Sequence, residues 1–322
     1  MVRIPRPLPP VTRFVDGRVR AYDLAGGATG VLSSAVSVRP APGDEVGHAV
    51  ATDLRHAYYT TLHAVVCLAT ADSTEVWRSP FEPRTDEEFG SLPSCMLSWD
   101  GRVLWVYRPD AMAGRNGRDQ WAALDTATGK VLAQVELETV GHGGHQLRHP
   151  ADDRVFVDVG EGQDGAVVHR AELRGDRIDL TCYPWRDRCL IDLAPDGRHF
   201  MTVDHGQADV TVHTCPDGEP VFTLTVDAFG HDPDLVCVAW SGGYLTPDTL
   251  VVTLTGETEE GEEWMRRYRV DAQTGVIQEE FDAGSDNPYD PYDFYPLGDG
   301  TWLTTSPSGH PVRRRQAVAG SL

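Results

Sequence analysis

Lysine is nearly missing from this chain. Lys130 is the only one among 322 residues, and it stands in a Thr-Gly-Lys turn of the kind that joins hairpin strands. A Schiff-base lysine or a phosphate-binding loop would have to use it, so both mechanisms are close to excluded. The excess of arginine reads as the codon usage of a GC-rich, bacterial genome. Long apolar runs are missing too. Hydrophobic residues make up 40% of the chain, yet no stretch approaches a membrane span. The N-terminal Met-Val-Arg-Ile-Pro-Arg-Pro-Leu-Pro-Pro lacks the apolar centre of a secretory signal, so a soluble, cytoplasmic protein is expected.

Positive charge is scarce overall. The formal net charge is −21, from 28 basic and 49 acidic residues. Such a surface repels phosphate backbones and anionic headgroups, so neither nucleic acid nor membrane is an expected partner. The one basic run, Arg313-Arg314-Arg315, reads as a solvated tail or a last edge strand. The six cysteines, Cys67, Cys95, Cys182, Cys189, Cys215 and Cys237, contain no Cys-x-x-Cys pair. They read as reduced thiols, most of them within strands, and offer zinc no site. There is no Gly-x-Ser-x-Gly elbow, His-Glu-x-x-His, dinucleotide fingerprint or EF-hand loop. No cofactor and no metal is expected.

What the chain does have is a repeated set of turns. Residues 188–226 contain four short apolar or β-branched runs joined by three turns, two of them carrying Asp-Gly. Asp-Gly tolerates the positive φ of a tight hairpin, and the flanking runs alternate as half-buried strands do. The unit is a four-stranded antiparallel meander, strands a to d, which cannot bury its own faces alone. Its first turn, Asp196-Gly197-Arg198, recurs as Asp100-Gly101-Arg102, Asp16-Gly17-Arg18 and Asp299-Gly300. Residues 149–154, Ser241-Gly242-Gly243 and residues 53–56 occupy the same place. Gly101 and Gly197 stand 96 positions apart, two units of 48, and Gly243 follows Gly197 by 46. The last hairpin recurs as well, in Asp125 to Lys130 and Asp271 to Val276. Residues 22–32 read as another copy, and Asp72-Ser73, Gly175-Asp176 and Asp217-Gly218 mark the turns between them. Two turn registers on one period are what four-stranded propeller blades show.

The chain resembles a divergent WD40- or YVTN-type β-propeller over essentially its whole length. Gly47-His48, Gly141-His142 and Gly230-His231 stand at blade openings. Asp23, Asp125 and Asp271 close third strands, preceded by Tyr, Leu or Val where WD40 repeats have Trp. The resemblance implies an all-β fold: a single β-propeller domain, residues 1–322, of four-stranded antiparallel blades. Seven blades are preferred and six are the alternative, with five complete units between about His48 and Asp282. N- and C-terminal strands are expected to close the ring, since an open one would leave a long exposed edge. Residues 81–90 read as a polar connection between blades. Residues 108–119 and 256–263 read as long insertions between second and third strands.

In a propeller the b–c and d–a loops emerge at one end of the channel, opposite the a–b and c–d turns. Here that end collects most of the chemistry-bearing residues. The cluster of residues 141–149 offers His142 and His145 among glycines, which let backbone approach a ligand closely. It lacks the i, i+4 helical spacing of a zinc motif. Two b–c loops resemble each other, one with Glu161 and Gln163, the other with His205 and Gln207. Residues 183–188 join two blades and supply Asp187 and Arg188, the latter a candidate clamp for an anionic group. Tyr289, Tyr292 and Tyr295 with Asp290 and Asp293 read as a solvated closure loop or a partner surface. Most other tryptophans read as blade core.

Two functions fit. The first is a cytoplasmic binding module that takes a protein partner or a small polar or anionic ligand at one channel end. His48, His142, Gln163 and Gln207 are its ligand-binding candidates. The alternative is a lyase, isomerase or hydrolase with His145 or His205 as general base, Glu161 or Asp187 as acid and Arg188 holding an anionic group. A weaker idea is divalent-cation binding by the acidic loops.

Overall fold

A computed structural model describes residues 8–40, 47–82, 93–115, 117–258, 260–287 and 289–316. Residues 1–7 of the N-terminal stretch and residues 83–90 of the polar connection lie outside the described residues. Twenty-seven strands form seven antiparallel sheets, six of four strands and one of three, with only two single-turn 3₁₀ helices among the described residues. They divide between two compact units.

The first unit, Met1–Gly26 with Ser33–Asp187, holds blades 1 to 4. Blade 1 has three strands, Val11–Val15, Arg18–Tyr22 and Val36–Val38. Blade 2 runs His48–Val50, His56–Thr60, Ala64–Ala69 and Glu75–Pro80. Blade 3 runs Ser94–Leu97, Val103–Arg108, Asp119–Asp125 and Val131–Leu137. Blade 4 runs Gly144–Arg148, Val155–Gly160, Ala166–Arg174 and Arg177–Cys182.

The second unit, Gly27–Leu32 with Arg188–Leu322, holds blades 5 to 7. Blade 5 runs Arg188–Leu193, His199–Asp204, Asp209–Thr214 and Pro220–Thr225. Blade 6 runs Val236–Thr246, Thr249–Glu257, Glu263–Asp271 and Ile277–Glu280. Blade 7 takes Tyr295–Pro296, Thr301–Thr305 and Pro311–Arg315, and its fourth strand is Gly30–Val31 from the N-terminal region.

Burial follows position within the sheet. Strands b and c of blade 3 are buried on both faces almost throughout. Strands d of blades 2 and 5 alternate, one side to solvent. Doubly buried strands need an apolar layer on each side, and neighbouring blades supply it. Trp105, Tyr107 and Trp121 of blade 3 pack with Val155, Val157 and Val159 of blade 4. In the second unit Met201, Val203, Val210 and Val212 of blade 5 pack with Tyr244, Leu250 and Val252 of blade 6. Indole N–H groups tie blades together: Trp99 donates to the His149 carbonyl at 2.8 Å and Trp77 to the Thr126 carbonyl at 2.9 Å.

Three sequence readings need correction. Ser241-Gly242-Gly243 is not an a–b turn but lies inside strand Val236–Thr246, at a register shift. Both glycines have φ above +130°, and a Cβ on Gly243 would stand 2.8 Å from Pro296 and overlap the Asp192 carboxylate. Residues 22–32 do not form a hairpin. Arg18–Tyr22 pairs with Val36–Val38 while Gly30–Val31 joins blade 7, so Asp23 follows a second strand. Arg313-Arg314-Arg315 is no solvated tail, because it ends the third strand of blade 7 and Arg313 is 3% exposed.

The Thr-Gly turns carry a packing device the repeat reading did not include. In blade 3, Gly129 has φ +71° and its missing Cβ would stand 2.5 Å from the Trp77 ring of blade 2. In blade 6, Gly275 has φ +74° and the same space is filled by Phe222 of blade 5, at 2.9 Å. An aromatic from one strand d lies on the next blade's c–d turn in both units. Gly129→Ala and Gly275→Ala should each lower stability by about 2 kcal/mol, from steric overlap and strained φ together. Denaturant midpoints measure this, and an unchanged midpoint contradicts it.

Candidate functional site

Each unit has b–c and d–a loops of its own. In the first unit the end of blade 4 that bears these loops brings four of the sequence candidates together. The His142 N–H donates to the Gly160 carbonyl at 2.8 Å, which lays the d–a connection against the b–c loop. Glu161 Oε1 accepts from the Val140 N–H at 2.9 Å, and its carboxylate lies 3.5 Å from Arg186. The Ala166 N–H donates to the Arg186 carbonyl at 2.9 Å, and Asp187 bridges Ala166 in parallel. Gln163 stands on the 3₁₀ turn Gly162–Asp164. The side chains of His142, Gln163 and Asp187 are exposed.

Two of the glycines around His142 are required by packing, while Gly143 faces open space. A Cβ on Gly141 would overlap the Tyr107 hydroxyl, and one on Gly144 would stand 2.5 Å from the Tyr107 ring. Behind them lies Asp119, fully buried. Its carboxylate accepts from the Tyr107 hydroxyl at 3.0 Å, the Thr139 hydroxyl at 2.7 Å and the Gly141 N–H at 2.7 Å. Burial and the adjacent carboxylate hold the Tyr107 pKa far above its ordinary value. This buried knot fixes the path of the histidine loop.

His145 stands on strand Gly144–Arg148, opposite Asp158. Solvent reaches its ring, yet enough chain surrounds it that desolvation lowers its pKa. His48 opens blade 2, where Nδ1 and the Thr12 hydroxyl are 2.8 Å apart, and burial lowers its pKa too. A lowered pKa leaves both imidazoles neutral at pH 7.

The remaining candidates belong to the second unit. Arg188 is 9% exposed and engaged inside blade 5. It donates to Asp209 Oδ1 at 2.7 Å and to the Thr202 hydroxyl at 3.0 Å, and that hydroxyl lies 2.9 Å from His213 Nε2. Any external anion would compete with Asp209 for it. Gln207, with φ +62°, donates its side-chain amide to the Val238 carbonyl at 3.2 Å and accepts the Val238 N–H at 2.8 Å. It therefore couples blade 5 to blade 6. His205 lies against Trp240, ring centroids 5.6 Å apart. Tyr289 and Tyr292 are 67% and 64% exposed on the connection into blade 7. Among the described residues no group of three or more His, Cys, Asp or Glu could hold a metal ion.

No protein-family profile matches the chain, and no curated protein matches it. Solved structures do. BamB from Moraxella catarrhalis is 13% identical with a TM-score of 0.52, covering 97% of this chain and 82% of that one. A chain of the mitotic checkpoint complex is 11% identical with a TM-score of 0.58, covering 94% of this chain and 82% of that one. The chain is a seven-bladed β-propeller. At these identities the likeness establishes the propeller fold alone. Among the described residues no helix is long and apolar enough to cross a membrane.

One carboxylate that sequence reasoning passed over is Asp192, on the first strand of blade 5. Its two oxygens accept the Leu193 N–H at 2.8 Å and the Tyr244 N–H at 2.7 Å, the second from blade 6. Burial raises its pKa to about 7. The only sequence signal was an acid amid Cys-Leu-Ile-Asp-Leu-Ala. Because the folded pKa lies above the unfolded one, its stabilising form is the protonated one. That contribution is complete below about pH 4 and is lost as the pH rises towards 7. Asp192→Asn, whose amide can accept only one of those two N–H bonds, should therefore gain stability relative to the wild type as the pH rises from 4 to 8. A difference from the wild type that is independent of pH contradicts the assignment.

Proposed function

We propose that the chain is a WD40- or YVTN-like propeller working as a single domain over residues 1–322 in a reducing cytoplasm. It binds a protein partner or a small polar ligand through the loops at one end of its channel. The supporting observation is how differently the two kinds of loop use their polar groups. At the a–b and c–d turns the side chains close their own turns. Asp100 accepts the Arg102 N–H at 3.1 Å, Asp196 the Arg198 N–H at 2.9 Å and Asp271 the Thr274 N–H at 2.8 Å. At the other end His142, Gln163 and Asp187 stand exposed around Glu161, and His205 rests on Trp240. One of the similar structures is, by its name, part of a checkpoint complex. Membership of an assembly is the kind of role proposed here.

Acid–base catalysis is the second reading. His145 favours it, an exposed imidazole on strand Gly144–Arg148 whose cross-strand partner is Asp158. Glu161 or Asp187 would act as the acid.

Loop and turn variants of the full chain separate these ideas. His142→Ala, Gln163→Ala, Asp187→Ala and His205→Ala are combined in one variant, and Arg198→Ala with Lys130→Ala in another. Affinity capture from native extract should yield a partner that the loop variant loses and the turn variant keeps. Equal capture by both contradicts the binding reading. Turnover of a captured small molecule that disappears in His145→Ala would decide for catalysis.

A further inference from the structure

The arginine run near the C-terminus, together with strand c of blade 6, lines the larger of two adjoining cavities in the second unit. One has a volume of ≈ 520 Å³ and is lined by Arg269, Arg314 and Arg315 beside Phe281 and Gly284. The other, ≈ 400 Å³, is lined by Arg266 and Arg267 and shares residues 280–283 with the first. Both volumes suit a small organic ligand. In a protein of net charge −21, so many guanidiniums at one groove are unexpected from composition.

Most of these cations are incompletely neutralised. Arg267 and Arg269 stand two apart on strand Glu263–Asp271, so they share a face. Arg267 is 5% exposed and its guanidinium lies 5.3 Å from the Phe294 ring centroid. It donates only weakly, to the carbonyls of Asp290 at 3.4 Å and Pro291 at 3.5 Å, and its Nε has no partner among the described residues. Burial lowers its pKa, with Asp293 opposing that from farther than ion-pair distance. Arg269 lies 4.9 Å from the Phe281 centroid and pairs with Glu279 at 3.0 Å, leaving its Nε without a partner. Arg314 donates to the Thr304 hydroxyl at 2.7 Å and reaches Asp286 only at 4.0 Å. Gly284, φ +62°, leaves its side open, where a Cβ would stand 3.2 Å from Arg314 NH1. No carboxylate lies within 4.0 Å of Arg266, Arg267 or Arg315 among the described residues.

A buried guanidinium without a carboxylate is costly, and an anion is the group that relieves it. Arginine's planar fork matches phosphate oxygens in pairs. Glu280 and Asp282 also line the groove, but both are exposed and screened by solvent. Their repulsion grows with the charge of the ligand, so what favours several phosphates is the number of guanidiniums at the groove, Arg266, Arg267, Arg314 and Arg315, each of which can take its own anionic oxygens. We infer that this groove binds a small anion carrying two or more phosphate groups. The competing explanation is a water bridging Arg267 to Asp293, whose Oδ1 is likewise without a partner.

Calorimetric titration of the full chain with pyrophosphate at fixed ionic strength tests this, with orthophosphate and sulfate titrated in parallel. Saturable binding is expected, tighter for pyrophosphate than for the other two. Arg314→Gln with Arg315→Gln should weaken it about tenfold, while Arg18→Gln in the first unit leaves it unchanged. Arg315→Gln alone, at an exposed position, should weaken it in the same direction and serves if the double variant does not fold. Absence of saturable binding, equal affinity for sulfate, or unchanged affinity in the Arg314 and Arg315 variants overturns the inference.

Discussion

Two-sided burial of the central strands is the constraint from which the rest of the structure follows. Val103–Arg108 and Asp119–Asp125 bury nearly every residue, so an isolated four-stranded sheet of this sequence would expose apolar side chains on both faces. Stacking sheets through Trp105, Tyr107, Trp121 and their valine partners removes that surface from water. At ~25 cal/mol per Å² of apolar area, each large aromatic buried this way contributes a few kcal/mol. No single blade can keep that contribution alone, which is why the meander has to recur.

Stacking also decides where chemistry can be placed. Tight a–b and c–d turns consume their own polar groups, and in two c–d turns the glycine is pressed against a neighbouring ring, Gly129 against Trp77 and Gly275 against Phe222. The b–c and d–a loops vary more in length and composition, although Gly141 and Gly144 there are pressed against Tyr107. Some of their polar residues have nonetheless been drawn into structure. Arg188 is locked to Asp209 and Thr202, and Gln207 to the Val238 backbone, whereas His142, Gln163 and Asp187 remain at the surface.

What could be read from sequence was what local chemistry encodes. Asp-Gly and Thr-Gly turns need positive φ, and Gly101, Gly129, Gly197 and Gly275 all have it. The period of those turns located blades 2 to 6. Long-range pairing left no such trace. Gly30–Val31 looked like half of a local hairpin because nothing nearby indicates that it joins a strand near residue 312. Gly242 and Gly243 mimicked a turn because a bulge also needs their conformation. Burial was equally hidden: Arg188 read as a clamp for an external anion, and only packing shows that it is enclosed.

Amide hydrogen exchange across the whole chain tests the central claim most directly. Strands b and c of the six four-stranded blades should exchange slowest, with amides on the outer strands d markedly faster within the same blade. Central strands of any of these blades exchanging as quickly as its loops, or no difference between strands c and d, would contradict a fold built on two-sided burial.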